Sequence, residues 1–144
     1  MPTLSKRPAL ADDVPFLMGL RRQTMDGHLE ASGADTGEEA HLARLFYRYG
    51  AAEILLEAGE PVGLLKVTRD AVEWKVVQFQ LVPRLQGQGL GAMLLREVIA
   101  EATAAGAALT LGVLKSNPAK GLYERLGFVV EGDADGEWLM RWRG

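Results

Sequence analysis

The spacing of apolar residues along the chain alternates between the period of a helix and the period of a strand. A short strand is predicted at residues 3–7, followed by a helix with Asp12 as its N-cap and Pro15 in its first turn. Apolar residues three and four positions apart predict a second helix over residues 38–49. A glycine-bounded segment, residues 33–37, separates the two helices.

The pattern shortens to the period of strands at residue 52. Three apolar runs, at residues 52–58, 61–69 and 73–82, are separated by short polar turns and predict an antiparallel meander. Pro83 ends the third strand because it has no backbone N–H to donate to a neighbour.

The second half of the chain predicts two more helices and three more strands. A long helix over residues 89–106 is followed by a strand at 109–114, a short helix at 118–126 and a hairpin around 133–136. The order is strand, two helices, three strands, helix, strand, helix, two strands, which predicts an α+β fold with helices on both faces of a mixed sheet. At 144 residues, the chain is expected to form one domain spanning residues 1–144.

Composition excludes several classes of function. The chain is 48% hydrophobic and 24% charged, with a net charge of -3 and scattered basic residues, so nucleic acid is a poor candidate partner. It has no cysteine and two histidines, so no metal site is expected. Because no apolar run has the length of a signal-peptide core or a membrane span, we expect a cytoplasmic location without membrane association.

A glycine-rich segment joins the third meander strand to the long helix. It runs Gln86-Gly87-Gln88-Gly89-Leu90-Gly91. Backbone N–H groups and the helix dipole converge at this point, and glycines allow close approach, so the segment suits a diphosphate. The same glycines would also serve a tight turn that binds no ligand.

The glycine spacing fits a second kind of ligand less well. Gly87, Gly89 and Ala92 match the G-x-G-x-x-A pattern of dinucleotide-binding folds. That pattern requires an acidic residue about 20 positions further on to bind ribose, and none occurs at residues 107–112. It also belongs to the first strand of a βαβ unit, so a dinucleotide-dependent oxidoreductase is the weaker alternative.

A further motif follows the strand at 109–114. Asn117 and Tyr123 lie six positions apart, and Gly127-Phe128 closes the short helix. The two segments resemble the signatures of the GNAT superfamily of acyl-CoA-dependent N-acyltransferases: Gln/Arg-x-x-Gly-x-Gly/Ala for the first, and with small variation Asn-x-x-Ala/Gly-x-x-x-Tyr-x-x-x-Gly-Phe for the second. The predicted order of elements is also that of this family.

The resemblance implies acetyl-CoA as cosubstrate, bound between two splayed parallel strands that end near Val82 and Leu114. The transfer would be direct, in a ternary complex, because no cysteine can carry an acyl group. The residues implied to contact the cosubstrate are Leu81, Val82, Gln86, Gly87, Gln88, Gly89, Leu90, Gly91, Asn117, Lys120 and Tyr123.

The resemblance also suggests roles in the chemistry. Tyr123 is the candidate general acid that protonates the departing thiolate, and a backbone N–H near Leu81 or Val82 is the candidate oxyanion donor. Glu73 resembles the glutamate base of some protein-lysine-acetylating members. A water relay is the alternative to Glu73 as the base.

The acceptor site is the least determined part of the sequence. Met25, His28 and Glu30 are expected to shape it, because in this family the loop between the first two helices does so. Gln78 and Gln80 are expected to line it, since amides are unusual in an otherwise apolar strand; a structural hydrogen-bond pair is the alternative. Strand alternation places both glutamines on the face that carries Trp74 and Val76.

The sequence leaves the amine itself open. A small-molecule or peptide amine fits the motifs equally, and the resemblance is compatible with a homodimer. The alternative from another functional class is an acyl-CoA-binding sensor that has lost turnover.

Overall fold

The structure is a computed structural model that describes residues 3–144 and contains a seven-stranded sheet. Its strands are β1 (Leu4–Pro8), β2 (Ala52–Glu57), β3 (Glu60–Arg69), β4 (Glu73–Leu81), β5 (Ala108–Leu114), β6 (Phe128–Ala134) and β7 (Glu137–Trp142). Its helices are α1 (Val14–Ala31), α2 (Glu38–Phe46), α3 (Leu90–Ala104) and α4 (Lys120–Leu126). The predicted α+β class and order of elements are confirmed.

The sheet order is β1-β2-β3-β4-β5-β7-β6, and every neighbouring pair is antiparallel except β4 and β5. These two parallel strands pair from Glu73 with Ala108 to Val76 with Leu111, and pairing stops there. Both strands continue for several residues, so a gap opens between their C-terminal halves. This gap leaves room for a ligand within the sheet.

Helices cover both faces of the sheet. On one face α3 and α4 pack over a core that includes Leu94, Val98 and Phe128. On the other face α1 and α2 pack over a smaller core that includes Leu17, Leu45 and Leu64. No helix in the described range 3–144 is long and apolar enough to cross a membrane.

A β-bulge in β4 changes which side chains face which helices. Lys66 of β3 pairs with Gln78 and Val67 pairs with Val76, so Val77 is an extra residue on β4. The predicted alternation is therefore wrong across this point. Trp74 and Val76 face the α3 core, whereas Gln78 faces α1 and α2.

The ends of the first two helices also differ from the sequence prediction. Asp13, not Asp12, organises the start of α1: its carboxylate accepts a hydrogen bond from the Leu10 N–H at 2.7 Å and pairs with Arg7 at 2.8 Å. The second helix ends at Phe46, because the chain turns away before a short 3₁₀ turn at Tyr49–Ala51.

A buried lysine holds the C-terminal end of α2 against the sheet. Lys66 is 0% exposed, and its Nζ donates to the carbonyls of Leu45 at 2.7 Å and Tyr47 at 2.6 Å. Burial, followed by repulsion from Arg21, lowers the pKa of Lys66 to about 8. The carbonyls at a helix C-terminus favour a cation, so this contact fixes α2 over the widening gap.

Gly63 allows β3 to approach β4 where β4 leads into the gap. A Cβ at this position would lie 2.6 Å from the Gln80 carbonyl oxygen and 3.0 Å from the side chains of Leu55 and Leu81. We expect Gly63→Ala to displace β4 and to lower the free energy of unfolding by about 1–3 kcal/mol in chemical denaturation.

Gly19→Ala is the matched control, because Gly19 lies in α1 with open space around its Cα. It should raise stability by roughly 0.5–1 kcal/mol, since alanine is the better helix former. Equal stability of the Gly63→Ala variant and the wild-type protein would contradict the close strand approach.

Candidate active site

Two cavities meet at the gap between β4 and β5. The α3-side cavity has a volume of about 820 Å³ and lies between β4, α3 and α4. The α1-side cavity has a volume of about 550 Å³ and lies between the sheet, α1 and α2. Five residues line both cavities and mark their junction: Met25, Phe79, Gln80, Asn117 and Tyr123.

The glycine-rich segment forms one end of the α3-side cavity. Gly87 and Gly89 have φ values of 75° and 81°, a left-handed conformation that side chains disfavour, and Gly89 immediately precedes α3. The first N–H groups of α3 have no acceptor within the helix, and Met93 is the first to donate backward, to Gly89. The segment therefore presents free donors and the positive end of α3 to the cavity.

The structure separates the predicted residues of this segment into two groups. Gln86, Gly87, Gly89 and Gly91 line the α3-side cavity. Gln88 and Leu90 do not, because the amide of Gln88 donates to the Arg84 carbonyl at 2.8 Å and the side chain of Leu90 is completely buried in the core.

Two cations missed by the sequence analysis also line this cavity. Arg96 projects from α3 and Arg125 from α4. No sequence motif relates either arginine to the glycine segment. The packing of α3 against α4 brings both side chains to the same cavity. They add positive charge on the wall where the helix dipole points.

Of the two candidate backbone donors at the end of β4, the N–H of Leu81 is free and that of Val82 is not. The Val82 N–H donates to the Val62 carbonyl at 2.9 Å, which rules it out as an oxyanion donor. Because hydrogen-bonded positions alternate along an antiparallel pair, the Leu81 N–H points away from β3 and toward the gap. The Leu81 carbonyl accepts from the Gln86 amide at 3.0 Å, which ties the glycine segment to this strand end.

Tyr123 projects from α4 to the junction of the cavities. Its ring packs edge to face against Phe128, with centroids 6.0 Å apart. The hydroxyl forms no hydrogen bond within residues 3–144. Burial raises the pKa of Tyr123 to about 12, so the phenol keeps its proton at neutral pH. Such a group can donate a proton to an anion formed at the junction.

Asn117 shapes the turn that leads into α4. Its Oδ1 accepts from the Ala119 N–H at 2.9 Å, which leaves the amide nitrogen facing the junction. Lys120 takes a different position from the one implied by resemblance. Its ammonium lies 5.4 Å from the Trp138 ring centroid and pairs with Glu124, outside both cavities.

The C-terminal half of α1 forms a wall of both cavities. Met25 lies at the junction and His28 lines the α3-side cavity, but both belong to α1 and not to the loop after it. Glu30 is exposed and lines neither cavity. Ser116 fastens this wall to the β5–α4 loop by donating to the His28 carbonyl at 2.7 Å.

Gln78 and Gln80 line the α1-side cavity and are both 7% exposed. The Gln78 amide nitrogen donates to the Arg44 carbonyl at 3.2 Å, which fixes the orientation of this amide. The Oε1 atoms of both glutamines are buried and have no partner among residues 3–144. The predicted alternative, a structural pair, leaves these two oxygens unexplained, because buried acceptors normally have donors.

The structure does not bring Glu73 to the site. Glu73 starts β4, at the end of the strand where β4 and β5 are still paired, and its carboxylate accepts from Arg141 at 3.1 Å. Two carboxylates that the sequence analysis missed line the α1-side cavity: Asp135, in the turn between β6 and β7, and Glu137, at the start of β7. The oxygens of Glu137 would lie 3.1 and 3.4 Å from a Cβ at Gly112, so they sit directly over β5 beside the gap.

Arg21 is a second residue that the sequence analysis missed. It lies on the buried face of α1, between Leu17 and Met25, and is 2% exposed. Its Nε donates to His41 Nδ1 at 2.9 Å, and His41 Nε2 lies 2.7 Å from Asp26 Oδ1. The sequence did contain a signal for Arg21. It is a charged residue four positions from Leu17 and four from Met25, so it lies within the apolar stripe of the helix.

Comparisons with known proteins agree with this geometry. A model of the acetyltransferase (GNAT) domain family matches residues 35–137. The fold is similar to the PaiA N-acetyltransferase of Thermoplasma acidophilum, solved with coenzyme A, with a TM-score of 0.76 and 16% identity over 99% of each chain. No curated protein sequence matches the chain significantly.

Two further solved structures share the fold. The ribosomal-protein-S18-alanine N-acetyltransferase of Escherichia coli has a TM-score of 0.70 and 22% identity, covering 97% of this chain and 93% of that one. N-acetylglutamate synthase of Neisseria gonorrhoeae, solved with coenzyme A and L-arginine, has a TM-score of 0.68 and 18% identity. It covers 99% of this chain, which spans 34% of that longer protein.

The family match and the shared architecture lead to one conclusion. The match extends over most of the 144 residues and includes both the glycine-rich segment and Tyr123. The chain belongs to the GNAT family of acetyltransferases.

Proposed function

We propose that the chain transfers the acetyl group of acetyl-CoA to a primary amine by direct attack in a ternary complex. The observation that carries the proposal is the position of Tyr123: a protonated phenol without a partner, at the point where a cation-lined cavity meets an amide-lined one. The names of the solved neighbours, two N-acetyltransferases and an N-acetylglutamate synthase, favour nitrogen as the acceptor atom.

The α3-side cavity suits the cosubstrate. The diphosphate would accept from the free N–H groups at the start of α3, with Arg96 and Arg125 near the phosphates. Nothing lies within 4 Å of a Cβ built at Gly87 or Gly89, so the segment has open space in front of it. The thioester would then reach the junction, and the α1-side cavity would remain for the amine.

Residues at the junction fit the chemistry of acyl transfer. As the amine nitrogen bonds to the thioester carbon, the carbonyl oxygen becomes negative, and the Leu81 N–H would stabilise it. When the carbon–sulfur bond breaks, Tyr123 gives its proton to the thiolate. Thiols have a pKa near 8.5, far below that of Tyr123, so the transfer itself is uphill. Solvent then reprotonates the phenolate, which restores the acid and completes the proton balance.

Glu137 is the carboxylate best placed to receive the proton that the amine loses. It lines the same cavity as Tyr123 and forms neither an ion pair nor a hydrogen bond with any of residues 3–144. We propose that it accepts the proton directly or through one water. This assignment replaces the sequence-based expectation for Glu73.

A substitution in the glycine segment tests the coenzyme site. In the free protein, Gly89→Ala would relax out of the left-handed conformation, and binding would have to restore it. We expect coenzyme A affinity, measured by calorimetry, to fall by roughly 10-fold, the equivalent of 1–2 kcal/mol. Gly59→Ala is the control, because Gly59 has a similar φ of 83° in the β2–β3 turn and lines neither cavity. Equal affinities for the two variants would contradict the site.

Removing the Tyr123 hydroxyl tests the general acid. We expect Tyr123→Phe to lower kcat by roughly 100-fold or more while the KM for acetyl-CoA changes little. Because the pKa of Tyr123 is about 12, the phenol is protonated throughout the neutral and moderately alkaline range, so the loss should be the same at each pH there. Tyr49→Phe, which removes a hydroxyl bonded to the Leu10 carbonyl, is the control. If Tyr123→Phe kept full turnover at all pH values, Tyr123 would not be the general acid.

A pair of glutamate variants tests the base. We expect Glu137→Gln to lower kcat/KM at neutral pH by roughly 100-fold and Glu73→Gln to leave it unchanged. The deficit of Glu137→Gln should shrink as the pH rises toward the pKa of the amine, about 10 for an alkylamine, because more of the amine is then already neutral. The assignment fails if Glu73→Gln is the slow variant or if the deficit is independent of pH.

A further inference from the structure

We propose that the acceptor is a small amine that also carries a carboxylate, and that Arg21 binds this carboxylate in the α1-side cavity. The inference rests on the proposed acetyl transfer and identifies the chemical class of its second substrate. It concerns the same cavity and adds a subsite that the family membership does not assign.

The Arg21 guanidinium has two nitrogens without a partner among residues 3–144. The group uses Nε to donate to His41 and forms no hydrogen bond through Nη1 or Nη2. Because His41 Nδ1 accepts that bond, it carries no proton, and the ring donates from Nε2 to Asp26 as a neutral imidazole. Asp26, the carboxylate whose charge counteracts the lowering of the pKa of Arg21 by burial, is separated from the guanidinium by the His41 ring.

Arg21 forms no ion pair with any of residues 3–144, and its side chain lines the cavity. Moving a charge out of water is unfavourable unless an opposite charge with good geometry offsets it. Arg44 adds to the positive charge at this site. Burial of Arg21, followed by repulsion from Arg44, lowers the pKa of Arg21 to about 10. The two free nitrogens of a guanidinium form a planar fork that matches the two oxygens of a carboxylate.

The position of Arg21 sets the distance between carboxylate and amine. Met25 lies at the junction, and Arg21 is one turn earlier on the same face of α1, roughly 6 Å along the axis. On β4, Gln80 lies at the junction and Gln78 is two residues earlier, roughly 7 Å away. Both elements therefore run roughly 6–7 Å from the thioester position to the Arg21 end, a span that a small aminocarboxylate and the Arg21 side chain cross together.

The remaining polar groups of the cavity fit the rest of such a molecule. The Oε1 atoms of Gln78 and Gln80 are buried and have no donor among residues 3–144, so rotation of either amide toward the cavity lets it accept an N–H donor from an amine. Glu137 and Asp135 come to the cavity from the β6–β7 hairpin, whereas Arg21 and Arg44 come from α1 and α2. A molecule with an amine at one end and a carboxylate at the other matches this separation of charge.

The same arrangement disfavours other amines. A polyamine, or a lysine within a basic peptide, would place a second cation against Arg21 and Arg44, and like charges at this distance repel. A cavity of about 550 Å³ is of the size that binds small molecules, and a free amino acid or short aminocarboxylate fits within it.

Matched acceptors test the proposal directly. Thiol release would be measured for α-, β- and γ-amino acids, each against its own carboxamide, with a polyamine and an aminoalkyl phosphate included. We expect kcat/KM for the best amino acid to exceed that of its carboxamide by roughly 10- to 100-fold, the value of hydrogen bonds to a charged group. Equal rates, or a preference for the carboxamide, the polyamine or the phosphate, would overturn the assignment.

Variants of two adjacent arginines locate the effect. We expect Arg21→Gln to bring the ratio of acid to carboxamide close to one, mainly through the acceptor KM, with the KM for acetyl-CoA unchanged. Arg22→Gln is the matched control, because Arg22 is exposed and lines neither cavity, and it should keep the wild-type ratio. Equal ratios in Arg21→Gln and Arg22→Gln would contradict the role of Arg21.

Two further readouts keep the outcome decisive. If Arg21→Gln does not fold, Arg44→Gln replaces it, since Arg44 is exposed and its loss should still lower the ratio. If no amine releases thiol, the proposed acetyl transfer fails separately. The subsite is then judged by thermal shift with coenzyme A present: stabilisation by an amino acid but not by its carboxamide supports it, and equal effects overturn it.

Discussion

The separation of β4 from β5 is the constraint on which the rest of the structure depends. Pairing ends at Val76 and Leu111, and the strands beyond this point have no partner on their facing edges. Unpaired backbone groups inside a sheet are normally unfavourable, so the fold retains them where a ligand can use them. The opening also connects the two faces of the sheet, which lets Tyr123, carried by α4 on one face, reach the α1-side cavity on the other.

Several local features of the backbone and side chains hold this opening in place. The bulge at Val77 turns Gln78 toward α1 and α2, and Gly63 permits the close strand approach behind it. Lys66 anchors the end of α2, while Ser116 fastens α1 to the loop that follows β5. These contacts come from separate parts of the chain, and together they hold the walls of both cavities.

The sequence predicted the parts of the molecule that depend on local chemistry. Helix and strand periods gave the order of elements, and Gly87 and Gly89 marked a left-handed turn that glycine alone adopts easily. Tyr123 and Asn117 were recognisable because their segment resembles the second GNAT signature, which lies on a short predicted helix. Each of these signals lies within a few residues of chain.

The sequence could not predict the features that depend on distant packing. Strand alternation assumed no bulge, so it placed Gln78 with Trp74. Resemblance to the family suggested Glu73 as the base, whereas β7 brings Glu137 to the cavity. Arg21 reaches the cavity because α1 lies across the opening, a matter of tertiary arrangement. The position of Lys120 depends in part on distant packing as well, since its ammonium lies over the ring of Trp138, 18 positions later in the chain, besides pairing with Glu124.

The most direct test of the account is a crystal structure of the protein with coenzyme A. The account predicts the diphosphate at the N terminus of α3 and the sulfur between β4 and β5, within hydrogen-bond reach of the Tyr123 hydroxyl. A coenzyme that bypasses the glycine segment, or a sulfur directed away from Tyr123, would contradict it.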